Sequence, residues 1–288
     1  MTGGASFDMK PTGTVNVEII ATGDELLYGR ILDTNSHWLA QRVAEMGAKL
    51  RRVTVIGDEP ETIAEALHDA LKRDAHFIIF SGGLGPSEDD LTVDSIGAAL
   101  GRRTVIDEEG AEKIRAVYRR RGITDEAYHH RGVRMARVLD GSTPMHNPVG
   151  FSVGMCVEEA GKRICTLPGV PSEMRAMFDA HVAPMIEGTA TSVFLACAYN
   201  VTMVWTEFFP LYRAMQRDYP DMYIKNAATP PVEGADRDKV HTIKVDLVLE
   251  APTLEEAEAD MKAFLEDYMC RIEAAGGGRM DPAETQQP

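Results

Sequence analysis

Cysteines, basic residues and long apolar runs are all scarce in this sequence. The four cysteines include no Cys-x-x-Cys pair, so the sequence predicts neither a cysteine zinc site nor the disulfide framework of a small secreted domain. Asp and Glu number 45 against 30 Lys and Arg, and the net charge of -15 argues against a surface for nucleic acid or anionic membrane. No stretch approaches the roughly 20 apolar residues that a membrane span requires.

The first ten residues, MTGGASFDMK, lack the basic and apolar segments of a secretory signal peptide. The sequence therefore predicts a cytoplasmic protein with no membrane partner and no nucleic-acid partner. A length of 288 residues is sufficient for one large domain or two modest ones. The eight histidines are scattered, and the adjacent pair His129 and His130 is typical of solvated or packed side chains rather than metal ligands.

Strands and helices alternate along the first part of the chain. Short apolar runs predict the strands, and apolar residues at helical spacing predict the helices between them. The predicted strands are 15–21, 50–56 and 76–80, and the predicted helices are 35–46 and two that begin near Pro60 and Asp90. This alternation is typical of parallel strands joined by helical crossovers. We therefore expect an α/β fold, a three-layer α/β/α domain with a mostly parallel sheet and its ligand crevice at the carboxyl ends of the strands.

A glycine-rich loop follows the third predicted strand and precedes a predicted helix. Its sequence is SGGLGPSEDDLT, residues 81–92. Gly82, Gly83 and Gly85 permit positive φ and carry no β-carbon, so successive amide groups can converge on an anion. The amino terminus of the following helix adds free amides and the positive end of its dipole. The loop is therefore predicted to cradle a phosphate group, with carboxylates at its rim.

Three adjacent carboxylates, Glu88, Asp89 and Asp90, lie at the end of this loop. One explanation is a simple strand-to-helix turn in which Asp89 or Asp90 is the N-cap, which stabilises a helix by about 1 kcal/mol and uses a single side chain. The other is a divalent cation shared with a bound phosphate, because Mg²⁺ is commonly held by one or two carboxylates together with substrate oxygens. Spacing alone leaves both explanations open.

Three further motifs accompany the glycine loop in a fixed order. They are TGDELLYG at 22–29 with Asp33-Thr34-Asn35, NPVG at 147–150 and LPGVPSEM at 167–174. Together with GGLGPSEDDLT at 82–92, these motifs resemble the molybdopterin-binding (molybdenum cofactor biosynthesis) domain superfamily, particularly its competence/damage-inducible protein A (CinA)-like branch. The resemblance covers residues 15–187, and four ordered motifs are far more specific than one. Ser87 stands where the family usually has threonine, which preserves a hydroxyl.

This resemblance implies an activity. CinA-like domains act as ADP-ribose pyrophosphatases, and a related domain in FAD synthases cleaves dinucleotides, so it implies a metal-dependent pyrophosphatase that acts on a nucleotide diphosphate. Two alternatives are molybdopterin binding or adenylylation in molybdenum cofactor biosynthesis, and a nucleotide sensor without catalysis. The implied cofactor is a divalent ion, Mg²⁺, Mn²⁺ or Co²⁺, and the implied partner is a nucleotide diphosphate or a molybdopterin-type small molecule. Relatives self-associate, so we also expect a homo-oligomer.

The resemblance also implies site residues. Asp58 and Asp90 align with two loop aspartates of molybdopterin adenylyltransferases, which makes them the expected metal ligands, although Asp58 by itself also fits an ordinary helix lead-in. The predicted catalytic residues are Asp90, Asp58, Asp89 and Glu25, and the candidate bases are Asp24, Glu25 and Asp89. The residues predicted to contact substrate or phosphate are Gly23, Asp24, Asn35, Ser81, Gly82, Gly83, Gly85, Pro86, Ser87, Thr92, Asn147, Gly150, Pro168, Gly169 and Ser172.

Beyond the glycine loop, charged helical stretches precede a hairpin. The predicted elements are helices at 108–121, 125–139 and 173–186 and a hairpin of strands 154–158 and 163–167. The arginines of the first two stretches are predicted to form a solvated face. The hairpin places Cys156 opposite Cys165. Packed, reduced thiols are the expected state of this pair, and a disulfide between them is the alternative.

After Gly188 the pattern changes to a β-α-β-β-α order. The predicted elements are 193–205, 207–219, 222–227, 240–250 and 254–271. This order predicts a small α+β domain, and it resembles the KH-like second domain of CinA-type proteins without the Gly-x-x-Gly loop that binds nucleic acid.

The sequence thus predicts four segments. They are a disordered N-terminus at 1–14, a molybdopterin-binding-like domain at 15–188, the α+β domain at 189–275 and a disordered polar tail at 276–288. Many CinA-type proteins carry an additional amidase domain. We expect no such domain here, because the chain ends before one fits.

Overall fold

The computed structural model describes residues 14–189, 192–226 and 239–283. These residues form two compact units that divide at Ser192. The first unit has a mostly parallel sheet with helices, and the second has an antiparallel sheet with helices. The fold class predicted from the alternation of strands and helices is therefore confirmed.

The first unit follows the predicted alternation of elements. Its strands are β1 (Val15–Thr22), β2 (Ala48–Ile56), β3 (Phe77–Ser81), β4 (Thr104–Ile106), β5 (Arg137–Leu139), β6 (Thr143–Met145), β7 (Gly154–Glu159) and β8 (Lys162–Leu167). Its helices are α1 (Asp24–Leu27), α2 (Thr34–Glu45), α3 (Pro60–Lys72), α4 (Thr92–Leu100), α5 (Glu108–Arg120), α6 (Glu126–Val133), α7 (Pro171–Met177) and α8 (Ala183–Glu187). A π-helical turn, Phe178–Val182, makes α7 and α8 continuous. Within the described residues, no helix combines the length and the apolar character needed to cross a membrane.

Six strands form the main sheet, in the order β2-β1-β3-β8-β7-β6. The pairs β2·β1, β1·β3 and β3·β8 are parallel, whereas β7 and β6 are added in antiparallel fashion. Parallel pairing aligns the carboxyl ends of the strands, so that Ala21 lies beside Ser81 and Ser81 lies beside Leu167. The loops after β1, β3 and β8 therefore start in one row at the same end of the sheet.

Two apolar cores lie on opposite faces of this sheet. All five residues of β3 are buried, and their side chains alternate, with Phe77 and Ile79 in one core and Ile78 and Phe80 in the other. Helices α3, α4 and α5 contribute to one core, and α2 and α7 contribute to the other. A strand buried on both faces is apolar throughout, which explains the uninterrupted apolar run of β3. The arrangement gives the three predicted layers.

The segment 125–139, predicted as one helix, divides into three elements. Helix α6 is followed by a 3₁₀ turn, Arg134–Ala136, and then by β5, which pairs with β4. Val138 and Leu139 of β5 are buried in the core that α4 and α5 share. The helical prediction is wrong for this part, because its partner strand is only three residues long and leaves no strand pattern in the sequence.

The second unit has its own sheet and its own core. Its elements are β9 (Val193–Val204), α9 (Trp205–Asp218), β10 (Met222–Asn226), β11 (Val240–Ala251), α10 (Leu254–Ala274) and β12 (Arg279–Pro282). The antiparallel sheet has the order β10-β11-β9-β12. Phe208 of α9 and Phe264 and Tyr268 of α10 are fully buried in the core of this unit. The order of its first five elements agrees with the predicted α+β domain.

The tail predicted to be disordered contains a strand. β12 pairs with β9 and places Arg279 opposite Thr202. The prediction is therefore wrong for this part of the tail, because a polar composition gives no sign of a backbone partner that lies far away in the sequence. Residues 284–288 of the tail and residues 1–13 of the predicted N-terminal segment lie outside the described residues.

A buried carboxylate in the interior strand β1 is paired with an arginine. Glu18 is only 2% exposed. Its carboxylate accepts hydrogen bonds from Arg73 Nε at 2.8 and 3.0 Å and from Arg73 Nη2 at 2.6 Å. Arg73 directly follows α3, so the pair ties the end of this helix to the sheet. The arginine offsets part of the desolvation penalty that a buried carboxylate carries.

We expect Arg73→Gln to lower the free energy of unfolding by about 2–3 kcal/mol, because the substitution leaves a buried carboxylate without its cation. Urea denaturation measures the loss. Arg103→Gln is the matched control, since it removes an exposed ion pair with Asp140 and is expected to cost less than about 1 kcal/mol. Equal losses in the two variants would contradict a stabilising role for the pair in β1.

Candidate functional site

The glycine loop turns sharply after β3. Gly82 and Gly83 have φ values of 119° and 66°, which residues with side chains rarely adopt. A β-carbon at Gly82 would overlap with the Thr22 carbonyl oxygen, and one at Gly83 would overlap with the Thr92 hydroxyl. Both positions therefore need glycine for two reasons, the backbone conformation and the close approach of β1 and α4.

Two threonines hold this loop from behind. Thr92 is the first residue of α4, and its hydroxyl donates a hydrogen bond to the Gly82 carbonyl at 3.0 Å. The same hydroxyl lies 3.3 Å from the Thr22 hydroxyl. Thr92 is completely buried and Thr22 nearly so. The structure thus places Thr92 behind the loop, where it positions the glycines and is not exposed to a ligand.

Only some of the loop amides lack a protein acceptor within the described residues. The Gly82 amide donates to the Leu167 carbonyl at 3.0 Å and so continues the ladder between β3 and β8. Pro86 has no N–H group. Three consecutive amides donate to no acceptor within the described residues, those of Gly83, Leu84 and Gly85. Between Gly82 and Pro86, the predicted phosphate cradle therefore consists of these three donors, which we call the open amides.

Asp90 closes the loop on itself. Its Oδ2 accepts a hydrogen bond from the Ser87 amide at 2.8 Å, and its own amide donates to the Ser87 carbonyl at 3.3 Å. Helix α4 begins only at Thr92, and its N-cap is Leu91, without a side-chain cap. The explanation of Asp89 or Asp90 as N-cap is therefore wrong. Within the described residues, Asp90 Oδ1 has no hydrogen-bond partner.

Asp24 and Asp58 are bonded to each other's backbone. Asp58 Oδ2 accepts a hydrogen bond from the Asp24 amide at 3.1 Å, and Asp24 Oδ1 accepts one from the Asp58 amide at 3.4 Å. These bonds join the loop after β1 to the loop after β2. Asp58 Oδ1 accepts no hydrogen bond from the part of the chain that the structure describes.

Gly23 and Glu25 shape the loop after β1. The Gly23 amide donates to the Ile56 carbonyl at 3.1 Å, so it is not available to a phosphate. The Glu25 carboxylate folds back over Gly23, where its oxygens lie 2.9 Å from the position that a β-carbon would take. Glu25 itself is exposed to solvent at the rim of the loop.

The charges of three carboxylates from neighbouring loops, Asp24, Glu25 and Asp89, act on Asp58, and we call these four residues the acidic cluster. Burial raises the pKa of Asp58, and the negative charges of the other three raise it further, against the lowering effect of the Asp24 amide. Within residues 14–189, no Lys, Arg or His side chain lies within ion-pair distance of any member. The structure thus brings together acids that the sequence placed in separate motifs, without a cation to balance them.

The predicted metal ligands Asp58 and Asp90 lie in different loops and are anchored alike. Each has one carboxylate oxygen fixed by a backbone amide and the other oxygen open. Asp89, rather than Asp90, is the glycine-loop carboxylate whose charge raises the pKa of Asp58. Among the described residues, no group of three or more His, Cys, Asp and Glu side chains is arranged to hold a metal ion. A cation here therefore fits only with additional oxygens from a bound phosphate, which is the usual habit of Mg²⁺.

Two arginines predicted to be solvated support the glycine loop from the back. Arg137 is buried, donates to the Asp90 carbonyl at 2.6 Å and forms an ion pair with Asp94 of α4. Burial lowers the pKa of Arg137, and Asp94 raises it. Arg134 donates to the Ser87 carbonyl at 3.1 Å. The predicted solvated face is wrong for these residues, and the sequence missed their role because the carbonyl partner of each arginine lies 47 positions away.

Asn35 joins three of the strand-end loops. It lies in the first turn of α2, and its Nδ2 donates to the Gly169 carbonyl at 2.8 Å and to the Ser81 hydroxyl at 3.3 Å. A β-carbon at Gly169 would lie 3.6 Å from Gly82 Cα, so these two loops are also close. Asn35 Oδ1 is buried and has no hydrogen-bond partner among the described residues. Three predicted residues therefore meet at one place that offers an unused acceptor.

The remaining predicted residues form a second group at the start of α7. Asn147 Oδ1 accepts a hydrogen bond from the Gly150 amide at 2.8 Å, and Asn147 Nδ2 donates to Glu173 at 2.6 Å. Glu173 was not predicted as a site residue, although its motif LPGVPSEM carried the signal. Pro168 is buried and Ser172 is exposed. Within residues 14–189, no hydrogen bond links Asn147 or Gly150 to the glycine loop.

We expect Gly83→Ala to destabilise the protein more than Gly101→Ala. Both glycines have a left-handed φ, 66° and 64°, which costs a side chain about 1–2 kcal/mol. Gly101 ends α4 in open space, whereas a β-carbon at Gly83 overlaps with the Thr92 hydroxyl and displaces it from the Gly82 carbonyl. Urea denaturation of both variants measures the difference. Equal losses would show that the loop does not depend on the Thr92 bond.

We expect Asp58→Asn to raise the melting temperature at pH 7. Since folding raises the pKa of Asp58, the folded state loses stability as the pH rises between the ordinary and the raised pKa. The gain in the variant is therefore present at pH 7 and disappears below roughly pH 4, where Asp58 is protonated in both states. Asp69→Asn is the control. Lys72 lowers the pKa of Asp69, so the negative charge of Asp69 is favourable and its removal is not expected to raise the melting temperature. A lower melting temperature for Asp58→Asn at pH 7 would contradict the repulsion.

The residues around the glycine loop and those at the start of α7 lie in a part of the chain that matches a known family and known proteins. Residues 18–188, more than half of the chain, match the family model described as "Probable molybdopterin binding domain". A protein of Aeropyrum pernix is 36% identical over 263 residues, which are 90% of this chain and 94% of that protein. A protein of Bacillus pumilus named as competence-damage inducible is 41% identical over 169 residues, which are 59% of this chain and 40% of that protein.

A solved structure gives the same relationship. The crystal structure of the protein CinA from Thermoplasma acidophilum, whose function is unknown, has a TM-score of 0.53 and 31% identity, and it covers 60% of this chain and 98% of that one. The strand-end loops, the glycine loop and the acidic cluster all lie within the matched residues. The chain therefore belongs to the molybdopterin-binding domain family, in its CinA-like branch.

Proposed function

We propose that this protein hydrolyses the diphosphate bond of a nucleotide diphosphate of the ADP-ribose type, with the aid of a divalent metal ion. The observation that supports the proposal best is the acidic cluster, which has no balancing cation among the described residues and belongs in part to the loop that carries the open amides. A diphosphate with its counter-ion satisfies both features together, because amides bind the anion and carboxylates bind the cation.

The open amides and the first turn of α4 bind one phosphate group in this proposal. Successive amides around a glycine turn form a concave anion site, and the helix dipole favours negative charge at its amino terminus. Asp94 is the acid in that first turn, and its ion pair with Arg137 offsets a charge that would otherwise repel the phosphate. Asn35 Oδ1 supplies an acceptor for a hydroxyl or amino group elsewhere on the nucleotide.

Asp58 and Asp90 fit as the protein ligands of the ion, because each has one carboxylate oxygen fixed and the other open. When bound, such an ion offsets the charge that develops on the phosphoryl oxygens and lowers the pKa of a water. Glu25 and Asp89 are the bases that the geometry favours, since Asp24 Oδ1 is already bonded to the Asp58 amide. A carboxylate oxygen of either residue takes the proton of the attacking water.

Molybdopterin binding or adenylylation is the second candidate function. The match of residues 18–188 to the molybdopterin-binding family favours it. It uses the same open amides for a phosphate and places a pterin, instead of a second phosphate ester, beside them. A sensor that binds a nucleotide without chemistry is the third candidate, because a fold retains its pocket when activity is lost.

Turnover assays separate these candidates. The protein is incubated with ADP-ribose, FAD or NAD and with Mg²⁺, Mn²⁺ or Co²⁺, and AMP release is followed. A parallel reaction with ATP and molybdopterin is followed by pyrophosphate release. Metal-dependent AMP release supports the proposed hydrolysis, whereas pyrophosphate release alone supports adenylylation, and binding without either product supports the sensor.

We expect Asp58→Asn and Asp90→Asn each to lower kcat/KM for ADP-ribose at least about 100-fold, because each removes a charge that balances the metal ion. Asparagine retains an acceptor oxygen for the amide that each aspartate binds, so the loops keep their shape. Glu88→Gln is the matched control, since Glu88 is exposed in the same loop and lies outside the acidic cluster. Unchanged activity of Asp90→Asn would refute its assignment as a metal ligand.

A further inference from the structure

Two cysteines lie directly opposite each other across the β7·β8 hairpin. The register pairs Cys156 with Cys165. The connecting turn has two residues, Ala160 and Gly161, with φ values of 49° and 74°, as expected for a tight hairpin. Hydrogen-bonded and non-hydrogen-bonded pairs alternate along such a hairpin, and counting from the turn makes the cysteines a non-hydrogen-bonded pair.

The spacing of this pair suits a disulfide. Opposite residues of a non-hydrogen-bonded pair have Cα atoms about 4.5 Å apart, within the roughly 4.4–6.8 Å that disulfides span. Their β-carbons are about 4.5–5.5 Å apart, which is at or just above the disulfide range of roughly 3.5–4.5 Å. Both side chains point to the same face of the sheet, and in this structure both are free thiols. A bond between them needs only a small inward movement of the two strands.

The two thiols differ in access. Cys165 is completely buried in the core beneath α2 and α7. Cys156 is only partly buried, and it lines a cavity of about 500 Å³ beside the short edge strand β6. Other residues that line this cavity include Thr143, Met145, His181, Met185 and Arg163. A small oxidant can therefore reach Cys156 from this cavity, whereas Cys165 has no exposed surface.

The electrostatic surroundings assign different roles to the two sulfur atoms. The adjacent Cys165 thiol lowers the pKa of Cys156, and the nearby Arg163 lowers it further, against the effects of burial and of Glu158. The adjacent Cys156 thiol and complete burial raise the pKa of Cys165. Because the thiolate is the reactive form of cysteine, Cys156 is the nucleophile of the pair.

We propose that Cys156 is a modification site that reacts with hydroperoxides, and that Cys165 then resolves the product into a disulfide across the hairpin. The Cys156 thiolate attacks one peroxide oxygen, the O–O bond breaks and hydroxide leaves, so that Cys156 becomes a sulfenic acid. The Cys165 sulfur then attacks the Cys156 sulfur, the S–O bond breaks, and the departing hydroxide takes the Cys165 proton as water. Hydrogen peroxide is reduced by two electrons, and two thiols become one disulfide.

This reaction is independent of the proposed hydrolysis, because it needs neither the glycine loop nor the acidic cluster. The other two cysteines serve as internal references. Cys197 is partly buried, its Sγ donates to Met261 Sδ at 3.6 Å, and burial raises its pKa. Cys270 is exposed on α10 and is the thiol that nonspecific oxidation reaches first.

Mass spectrometry of the full chain tests the proposal. The protein is reduced, freed of reductant, treated with about one equivalent of hydrogen peroxide, alkylated under denaturing conditions and digested. We expect the Cys156 and Cys165 peptides to be joined, with the loss of two hydrogen atoms and no alkylation, and dithiothreitol to restore both thiols. Alkylation of both residues after peroxide, while Cys270 is oxidised, would overturn the proposal.

Variants assign the two roles. In Cys165→Ala the sulfenic acid on Cys156 persists, and a 1,3-dione probe such as dimedone labels it, whereas Cys156→Ser leaves Cys165 fully alkylated. Cys270→Ser is the control, and it retains the linked peptides while it excludes disulfides between molecules through Cys270. Absence of dimedone label on a folded Cys165→Ala protein would refute Cys156 as the reactive thiol. If that variant does not fold, the wild-type peptide map alone decides.

Discussion

The parallel register of β1, β3 and β8 is the constraint on which the candidate site depends. Ala21, Ser81 and Leu167 lie in one row, so the chain leaves all three strands at the same level of the sheet. The loops that follow are therefore neighbours before any side chain is considered. The glycines then allow these loops to approach until threonine hydroxyls and backbone carbonyls touch. For this reason the Asn35 side chain bonds to the backbone carbonyl of Gly169, which lies far away in the sequence.

The acidic cluster has a cost that packing alone does not explain. Burial and like charges both disfavour the ionised form of Asp58, and the described structure places no cationic side chain beside the cluster to compensate. Arg134 and Arg137 donate instead to carbonyl groups of the glycine loop, and Arg137 also pairs with Asp94. The two arginines thus support the glycine loop, and the acidic cluster is left to interact with a charge from outside the protein. Sites where stability is given up in this way are commonly functional.

Much of this arrangement could be predicted from the sequence, because buried strands and glycine turns leave local patterns. The apolar run of β3 and the glycines after it located the loop correctly, and the alternation of elements gave the fold class. The predictions that failed concern residues whose partners lie far away in the sequence. Arg137 was expected in a solvated helix because its spacing is helical, whereas its position is set by β4 and by the Asp90 carbonyl. The availability of single amides was equally hidden, since only the neighbouring strand shows that the Gly82 N–H is already bonded.

The pairing of β12 with β9 changes how the end of the chain should be treated. β9 has a neighbour on each side, β11 and β12, so its backbone groups between Tyr199 and Thr202 are satisfied in both directions. A chain trimmed at Gly276 would uncover one side of this strand. Exposed strand edges pair with strands of other molecules and lead to aggregation. The polar composition of this segment suggests that it is dispensable, but its strand β12 covers one side of β9 in the second unit.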